Sequence, residues 1–262
     1  MIRLIASDVD GTLVKNADEP LPEVLFELIE EMSEKGIYFA AATGRQYPNV
    51  RELFAPVSDR MFFLTENGCA TYFRGERIRT CGMNTGREDE LIDDILRYPG
   101  GELWINTAEN GYTIGRNPQF LWEMEHEVHA TFDVIGDPHA IHEEMLKISL
   151  LQWHEPHVPQ ETVDRFRAKY GQELQVMAAG HGWLDFIGKE AGKGSALKGV
   201  LDFLQISGEE LTVFGDNEND VSMFRLTPNA YVMHTSYPHV KAEAKYICTD
   251  VPAEIRRILD RQ

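Results

Sequence analysis

The sequence is short of positive charge. Against 43 aspartates and glutamates stand 25 lysines and arginines, a formal charge of −18 over 262 residues. Such a surface repels polyphosphates and anionic headgroups, which argues against nucleic acid or a membrane as the main partner. It also repels a phosphorylated small molecule, so a site for one must bring its own local positive charge. Cysteine is scarce as well. Cys69, Cys81 and Cys248 are odd in number and fit no metal-ligand spacing, so buried, reduced thiols are expected. No apolar run approaches a membrane span, and Met1 to Ala6 leads into a polar motif without a signal-peptide core. The expected location is the cytoplasm. Repeats and low-complexity linkers are absent too.

The sequence does contain alternating strand and helix signals. Ile2 to Ser7 is a short apolar run closed by polar residues and reads as a buried parallel strand. Val24, Leu25, Leu28, Ile29 and Met32 recur at helical spacing, with Pro22 suited to the first helical position and Gly36 to the stop. Tyr38 to Ala42 and Met61 to Leu64 are further strands. The alternation resumes near the C-terminus: helix Lys193 to Leu204, strand Leu211 to Phe214, helix Glu218 to Phe224, strand Ala230 to Met233. This predicts a doubly wound, mainly parallel, Rossmann-like α/β sheet.

Between the two blocks the texture changes. The segment holds Trp104, Trp122, Trp153 and Trp183, and Glu109-Asn110-Gly111 has the chemistry of a hairpin turn between 103–106 and 112–114. Helices are expected near 86–97 and 160–169, strands near 147–153 and 183–187. The predicted organisation is a core of residues 1–82 and 187–262, with an α+β cap domain inserted at 83–186.

Four polar clusters fall at strand or helix ends of the core, where open α/β sheets gather ligands. Asp8-Val9-Asp10-Gly11-Thr12-Leu13 leaves the first strand with two carboxylates that can meet a hard cation such as magnesium. Gly11 allows a sharp turn and close approach of backbone N–H groups to an anion. Alone, the segment reads equally well as an acidic turn capped by Thr12. Thr43-Gly44 offers a hydroxyl and an N–H to a phosphoryl oxygen, or Thr43 caps a helix. Lys193, between Gly192 and Gly194 at a helix start, is misplaced unless it answers an anion. In Gly215-Asp216-Asn217-Glu218-Asn219-Asp220, Asp216 can complete a cation site and Asp220 can support it from behind. An acidic N-cap explains one or two of these residues, not all. Together the clusters supply carboxylates, a hydroxyl and an ammonium, a set that suits phosphoryl transfer.

These motifs resemble those of the haloacid dehalogenase superfamily. Asp8-x-Asp10-Gly11-Thr12-Leu13 is similar to its first motif, Thr43-Gly44-Arg45 to its second, Lys193 to its third, and Gly215-Asp216-x-x-Asn219-Asp220 to its fourth. The insertion, with Thr43-Gly44-Arg45 and Glu66-Asn67-Gly68, resembles the Cof-like branch, whose cap is α/β. The resemblance implies a phosphatase in which Asp8 attacks phosphorus to form an aspartyl-phosphate and Asp10 serves as general acid and base. It implies Mg2+ held by Asp8, the Asp10 carbonyl and Asp216. Gly11, Thr43, Gly44, Lys193 and Asn219 would bind phosphate, and Asp220 would orient Lys193 or a metal-bound water. The cap would close over the crevice and select a small phosphorylated metabolite, such as a sugar phosphate or phosphorylated cofactor. Two alternatives remain open: a sugar-phosphate mutase or phosphotransferase on the same scaffold, and a receiver-like phospho-switch. One departure is His234-Thr235-Ser236, where the family commonly has Gly-Asn-Ala.

Other features have two readings. The pairs His126/His129, His139/His142 and His154/His157 suggest zinc ligands, or solvated or pocket-lining histidines. The tryptophans suit either core packing or a stacking surface. Arg45 suits either an anionic group of the substrate or a surface salt bridge.

Overall fold

The computed structural model describes residues 1–15, 19–128, 130–153, 155, 157–179 and 182–262. The chain divides into two compact units, Met1–Arg79 with Gly192–Gln262, and Thr80–Ala191.

The first unit is built on an eight-stranded sheet. Its strands are β1 (Leu4–Asp8), β2 (Tyr38–Ala42), β3 (Met61–Thr65), β4 (Ala70–Phe73) and β5 (Glu76–Thr80). After the second unit's strands come β12 (Leu211–Gly215), β13 (Ala230–Met233) and β14 (Tyr246–Cys248). The order is β14-β13-β12-β1-β2-β3-β4-β5, parallel from β14 through β3, with β4 running antiparallel to β3. Every residue of β1, β3 and β12 is buried, as strands covered on both faces require.

Helix α1 (Glu23–Glu34) buries Leu25, Leu28, Ile29 and Met32. Pro22 is its N-cap rather than its first helical residue, and the Pro22 carbonyl accepts from the Leu25 N–H at 2.9 Å. Gly36 takes φ +72° beyond the C-terminus, as its lack of a Cβ permits. Helix α2 spans Tyr47–Leu53, and α6 (Lys193–Leu204) puts Ala196, Leu197, Val200 and Leu201 into the core beside Phe62, Leu64 and Val213. The expected helix over 218–224 is instead a 3₁₀ turn, Glu218–Asp220, followed by the short α7 (Val221–Phe224). Asn217 and Asp220 form a reciprocal capping box there, and it tightens the first turn. Helices α8 (Pro238–Lys241) and α9 (Val251–Leu259) complete the unit.

The second unit carries a six-stranded sheet in the order β10-β11-β9-β6-β7-β8. The strands are β6 (Gly101–Thr107), β7 (Gly111–Thr113), β8 (Phe132–Val134), β9 (Met145–Gln152), β10 (Leu174–Ala179) and β11 (Trp183–Gly188). The β6–β7 hairpin turns at 108–110, as its Asn-Gly signal predicts, and β7 pairs with β8 in parallel. Helices α3 (Glu88–Leu96) and α5 (Gln160–Tyr170) pack Leu91, Ile92, Ile95, Val163 and Phe166 against Leu103, Ile105, Ile148 and Leu150. Helix α4 (Pro118–His126) joins a smaller cluster with Trp104 and Leu151, against which Trp153 and Trp183 pack. Trp122 is the exception. It is 52% exposed and stacks on His126 at 4.8 Å.

Cys69 and Cys248 are buried and reduced as expected, whereas Cys81 is only half-buried. No helix is long and apolar enough to cross a membrane among the described residues.

Candidate active site

Three carboxylates and one ammonium meet at the carboxyl ends of β1 and β12. Asp8 is the last residue of β1 and only 4% exposed. Its Oδ1 accepts a 2.6 Å hydrogen bond from Lys193 Nζ, and Nζ donates a second, of 2.7 Å, to Asp220 Oδ1. Lys193 begins α6 and is buried, so its charge is matched by carboxylates rather than by water. The other Asp220 oxygen accepts from the backbone N–H groups of Asp216 and Asn217, at 2.9 and 3.1 Å. Asp220 thus fixes both the ammonium and the turn that carries Asp216.

One cation cannot balance three carboxylates. Burial pushes the Asp8 carboxyl up to about 8, Lys193 pulls against it, and Asp220 and Asp216 add to the rise. Burial, then Asp220, pushes Asp216 up to about 6. Lys193 is held above its usual range because Asp220 and Asp8 outweigh its burial. The surplus negative charge falls on Asp8 and Asp216.

That surplus suits a divalent cation. Oxygens of Asp8, Asp216 and Asp220 lie within 4.8 Å of one another, the one such grouping of potential metal ligands among the described residues. Asp8 Oδ2 is buried and has no hydrogen-bond partner. Both Asp220 oxygens are already engaged, which leaves Asp8 and Asp216 as the donors. An all-oxygen donor set of this kind fits a hard ion such as Mg2+. Gly11 stands beside it at φ +92°, and a Cβ there would lie 2.3 Å from Asp216 Oδ2. Only glycine leaves Asp216 its place.

A second group forms around Asp10. Arg45 Nε donates to Asp10 Oδ2 at 3.0 Å and Arg45 Nη2 to Oδ1 at 2.5 Å, a two-point grip. Thr43, fully buried, places its hydroxyl 3.5 Å from Asp10 Oδ2 and accepts from the Arg45 N–H at 3.1 Å. Thr43 therefore caps no helix; Gln46 is the N-cap of α2. Gly44 packs beside Asn67, whose Oδ1 accepts from Asn219 Nδ2 at 3.2 Å. Glu66, Asn67 and Gly68 all have positive φ, and a Cβ on Gly68 would strike the Gly192 carbonyl at 2.3 Å. This strained turn packs directly against the start of α6.

The structure thus brings Asp8, Asp216, Asp220 and Lys193 into one cluster, with Gly11 against Asp216. Asp10, Thr43 and Arg45 form a neighbouring group. Of the two readings of Arg45 the structure shows the salt bridge, and its partner is Asp10. Asn219 reaches Asn67, for which sequence reasoning assigned no role; the available signal was its place in Glu66-Asn67-Gly68. His234, in the departing segment after β13, is exposed, and its N–H bonds the Cys248 carbonyl at 2.9 Å.

Of the histidine pairs only His139/His142 lies wholly within the described residues, and it belongs to no group of potential metal ligands found there. His139 lies between Asp89 and Asp93, at 3.0 and 3.3 Å, and His126 bonds the Trp122 carbonyl. His129 and His154 lie outside the described residues.

Comparison with known proteins bears on the family and the fold. The family model described as haloacid dehalogenase-like hydrolase matches residues 5–253. The chain is similar to the Escherichia coli K12 protein named 5-amino-6-(5-phospho-D-ribitylamino)uracil phosphatase YbjI, with 23% identity over 94% of this chain and 90% of that one. A solved structure from Eubacterium rectale superposes with TM-score 0.88 at 24% identity, covering 98% of this chain and 99% of the other. The sugar phosphatase BT4131, described as subclass IIB of the same superfamily, gives TM-score 0.81 at 19% identity over 98% of both chains.

Proposed function

The chain belongs to the haloacid dehalogenase-like hydrolases, and on that premise we propose that it is a magnesium-dependent phosphatase whose nucleophile is Asp8. The observation that carries this reading is the state of Asp8. It is buried at a strand end, with one oxygen on Lys193 and the other without a protein partner, beside the carboxylate of Asp216.

Asp8 attacks phosphorus, the P–O bond to the leaving group breaks, and an aspartyl-phosphate forms. Asp10 gives the departing oxygen its proton and afterwards takes one from the water that hydrolyses the intermediate. Lys193, the Thr43 hydroxyl, the Gly44 N–H and the Asn219 amide would hold the phosphoryl oxygens, whereas the Gly11 N–H is already given to the Val14 carbonyl at 2.7 Å. Asp8, Asp216 and the Asp10 carbonyl would hold Mg2+, which neutralises charge between nucleophile and phosphate. Because Lys193 is already matched by Asp8 and Asp220, the positive charge that an anionic substrate needs on a chain of net −18 would come from Lys193 and Mg2+ together.

The proposed substrate is a small phosphorylated polyhydroxy compound. The names of the Escherichia coli relative and of the sugar phosphatase both describe phosphate esters of that kind. The test is release of inorganic phosphate from p-nitrophenyl phosphate and from a panel of phosphorylated metabolites, with and without Mg2+. Turnover that needs Mg2+ and no sugar acceptor supports the hydrolase. Strict dependence on a bisphosphate activator would assign a mutase instead.

A further inference from the structure

Residues 66–68 hold a backbone that side chains disfavour. Glu66 and Asn67 stand at φ +51° and +56°, two left-handed residues in succession, and Gly68 follows at +89°. Asparagine is one of the few side chains enriched in this region, and glutamate is not among them. Such a turn persists only where its surroundings impose it, and strain of this kind collects at functional sites. Here the turn is laced to the segment after β2 on both sides of Gly44. The Glu66 N–H donates to the Arg45 carbonyl at 3.1 Å and the Asn67 N–H to the Thr43 carbonyl at 2.9 Å. On its other side, Gly68 leaves no room for a Cβ beside the Gly192 carbonyl at the start of α6.

These contacts fix the Asn67 side chain, which is 7% exposed. Its amide lies against Gly44, where a Cβ would be 3.3 Å from Oδ1 and 3.5 Å from Nδ2. Asn67 Oδ1 also accepts from Asn219 Nδ2 at 3.2 Å. The terminal torsion of an asparagine is broad and nearly two-fold, so its nitrogen and oxygen readily exchange places. An acceptor facing Asn219 chooses between the two arrangements. Nδ2 carries two N–H groups, and the bond to Asn67 uses one of them.

We propose that Asn67 is a positioning residue for phosphate binding, an inference that rests on the reading of Asn219 as a phosphate donor. Asn67 Oδ1 holds Nδ2 of Asn219 in place, and the second N–H of that nitrogen is the one offered to a phosphoryl oxygen. With the amide reversed, the Asn219 carbonyl oxygen would stand there instead, acceptor against acceptor. The left-handed turn is what carries an asparagine from the end of β3 to this position.

The test is a double-mutant cycle on the full chain, with Asn67→Ala, Asn219→Ala and the two combined. Binding of inorganic phosphate with Mg2+ present is followed by titration calorimetry, which needs no turnover. Asn219→Ala should weaken binding about tenfold to a hundredfold, as loss of a hydrogen bond to a charged group does. Asn67→Ala should weaken it by up to the same factor, and the double variant no further than Asn219→Ala alone. Asn67→Gly accepts the left-handed backbone without a Cβ penalty. It should keep a urea midpoint close to wild type yet bind phosphate as weakly as Asn67→Ala, which a merely structural role would not produce. Effects that multiply in the double variant would overturn the inference, as would an Asn67→Gly variant that binds phosphate like wild type. Wild-type binding by Asn219→Ala would overturn it together with the role given to Asn219. Turnover retained by Asp8→Asn refutes the proposed nucleophile alone and leaves the outcome of this cycle unchanged.

Discussion

Arg45 grips both carboxylate oxygens of Asp10, at 3.0 and 2.5 Å. The two residues leave adjacent parallel strands, β1 and β2, so the sheet itself sets their spacing. A carboxylate accepting from both prongs of a guanidinium is oriented, and its proton-carrying oxygens are already in use. Arg45 is therefore a positioning residue for the proposed acid and base.

Replacing Arg45 should lower kcat more than it raises KM. Arg45→Ala is expected to lose about 10- to 100-fold in kcat, a fraction of what general acid–base catalysis supplies. Arg45→Lys should recover part of it. The pH–rate profile reads the role: an altered limb marks a displaced Asp10, whereas an unchanged profile with raised KM would mark Arg45 as a substrate contact.

Lys193→Met removes the one cation between buried Asp8 and Asp220. A buried pair broken from one side costs about 3–5 kcal/mol. Urea unfolding at neutral pH measures it. A loss below about 1 kcal/mol would show that the two carboxylates do not depend on Lys193.

Asp8 and Asp216 bind their protons more tightly in the folded chain than their ordinary value of 3.8. Their contribution to stability is thus fully present below about 3.8. It is lost as pH rises through about 6 for Asp216 and about 8 for Asp8. Mg2+ must displace those protons, so the rise in Tm it produces should grow from pH 5 to pH 8. Asp216→Asn should abolish most of that rise. A Tm shift of equal size at both ends of the range would contradict the charge balance described here.

Gly11→Ala sets a Cβ 2.3 Å from Asp216 Oδ2 at a backbone angle of φ +92°. Strain of about 1–3 kcal/mol is expected, with a weaker Mg2+ response because Asp216 must move. Thermal melts with and without Mg2+ check both effects together. A variant that melts and responds to Mg2+ like wild type would remove Gly11 from the site.

Much of this site is legible in the chain because its parts are contiguous. Asp8 to Thr12 and Gly215 to Asp220 are short segments at strand ends, and a buried apolar run followed by polar residues announces each one. What the sequence could not express are the pairings between segments. Asn67 meets Asn219, and Arg45 meets Asp10, only because the sheet brings distant strands together. The 3₁₀ turn at 218–220 was hidden for another reason: helix-forming residues are overridden by the local Asn217–Asp220 capping box.

The central claim is that Asp8 is the attacking group, and Asp8→Asn tests it most directly, since it keeps the shape and removes the nucleophile. With Mg2+ and p-nitrophenyl phosphate, the variant should lose at least about 10⁴-fold in kcat while remaining folded. Phosphate release by the folded variant at the wild-type rate would contradict the account.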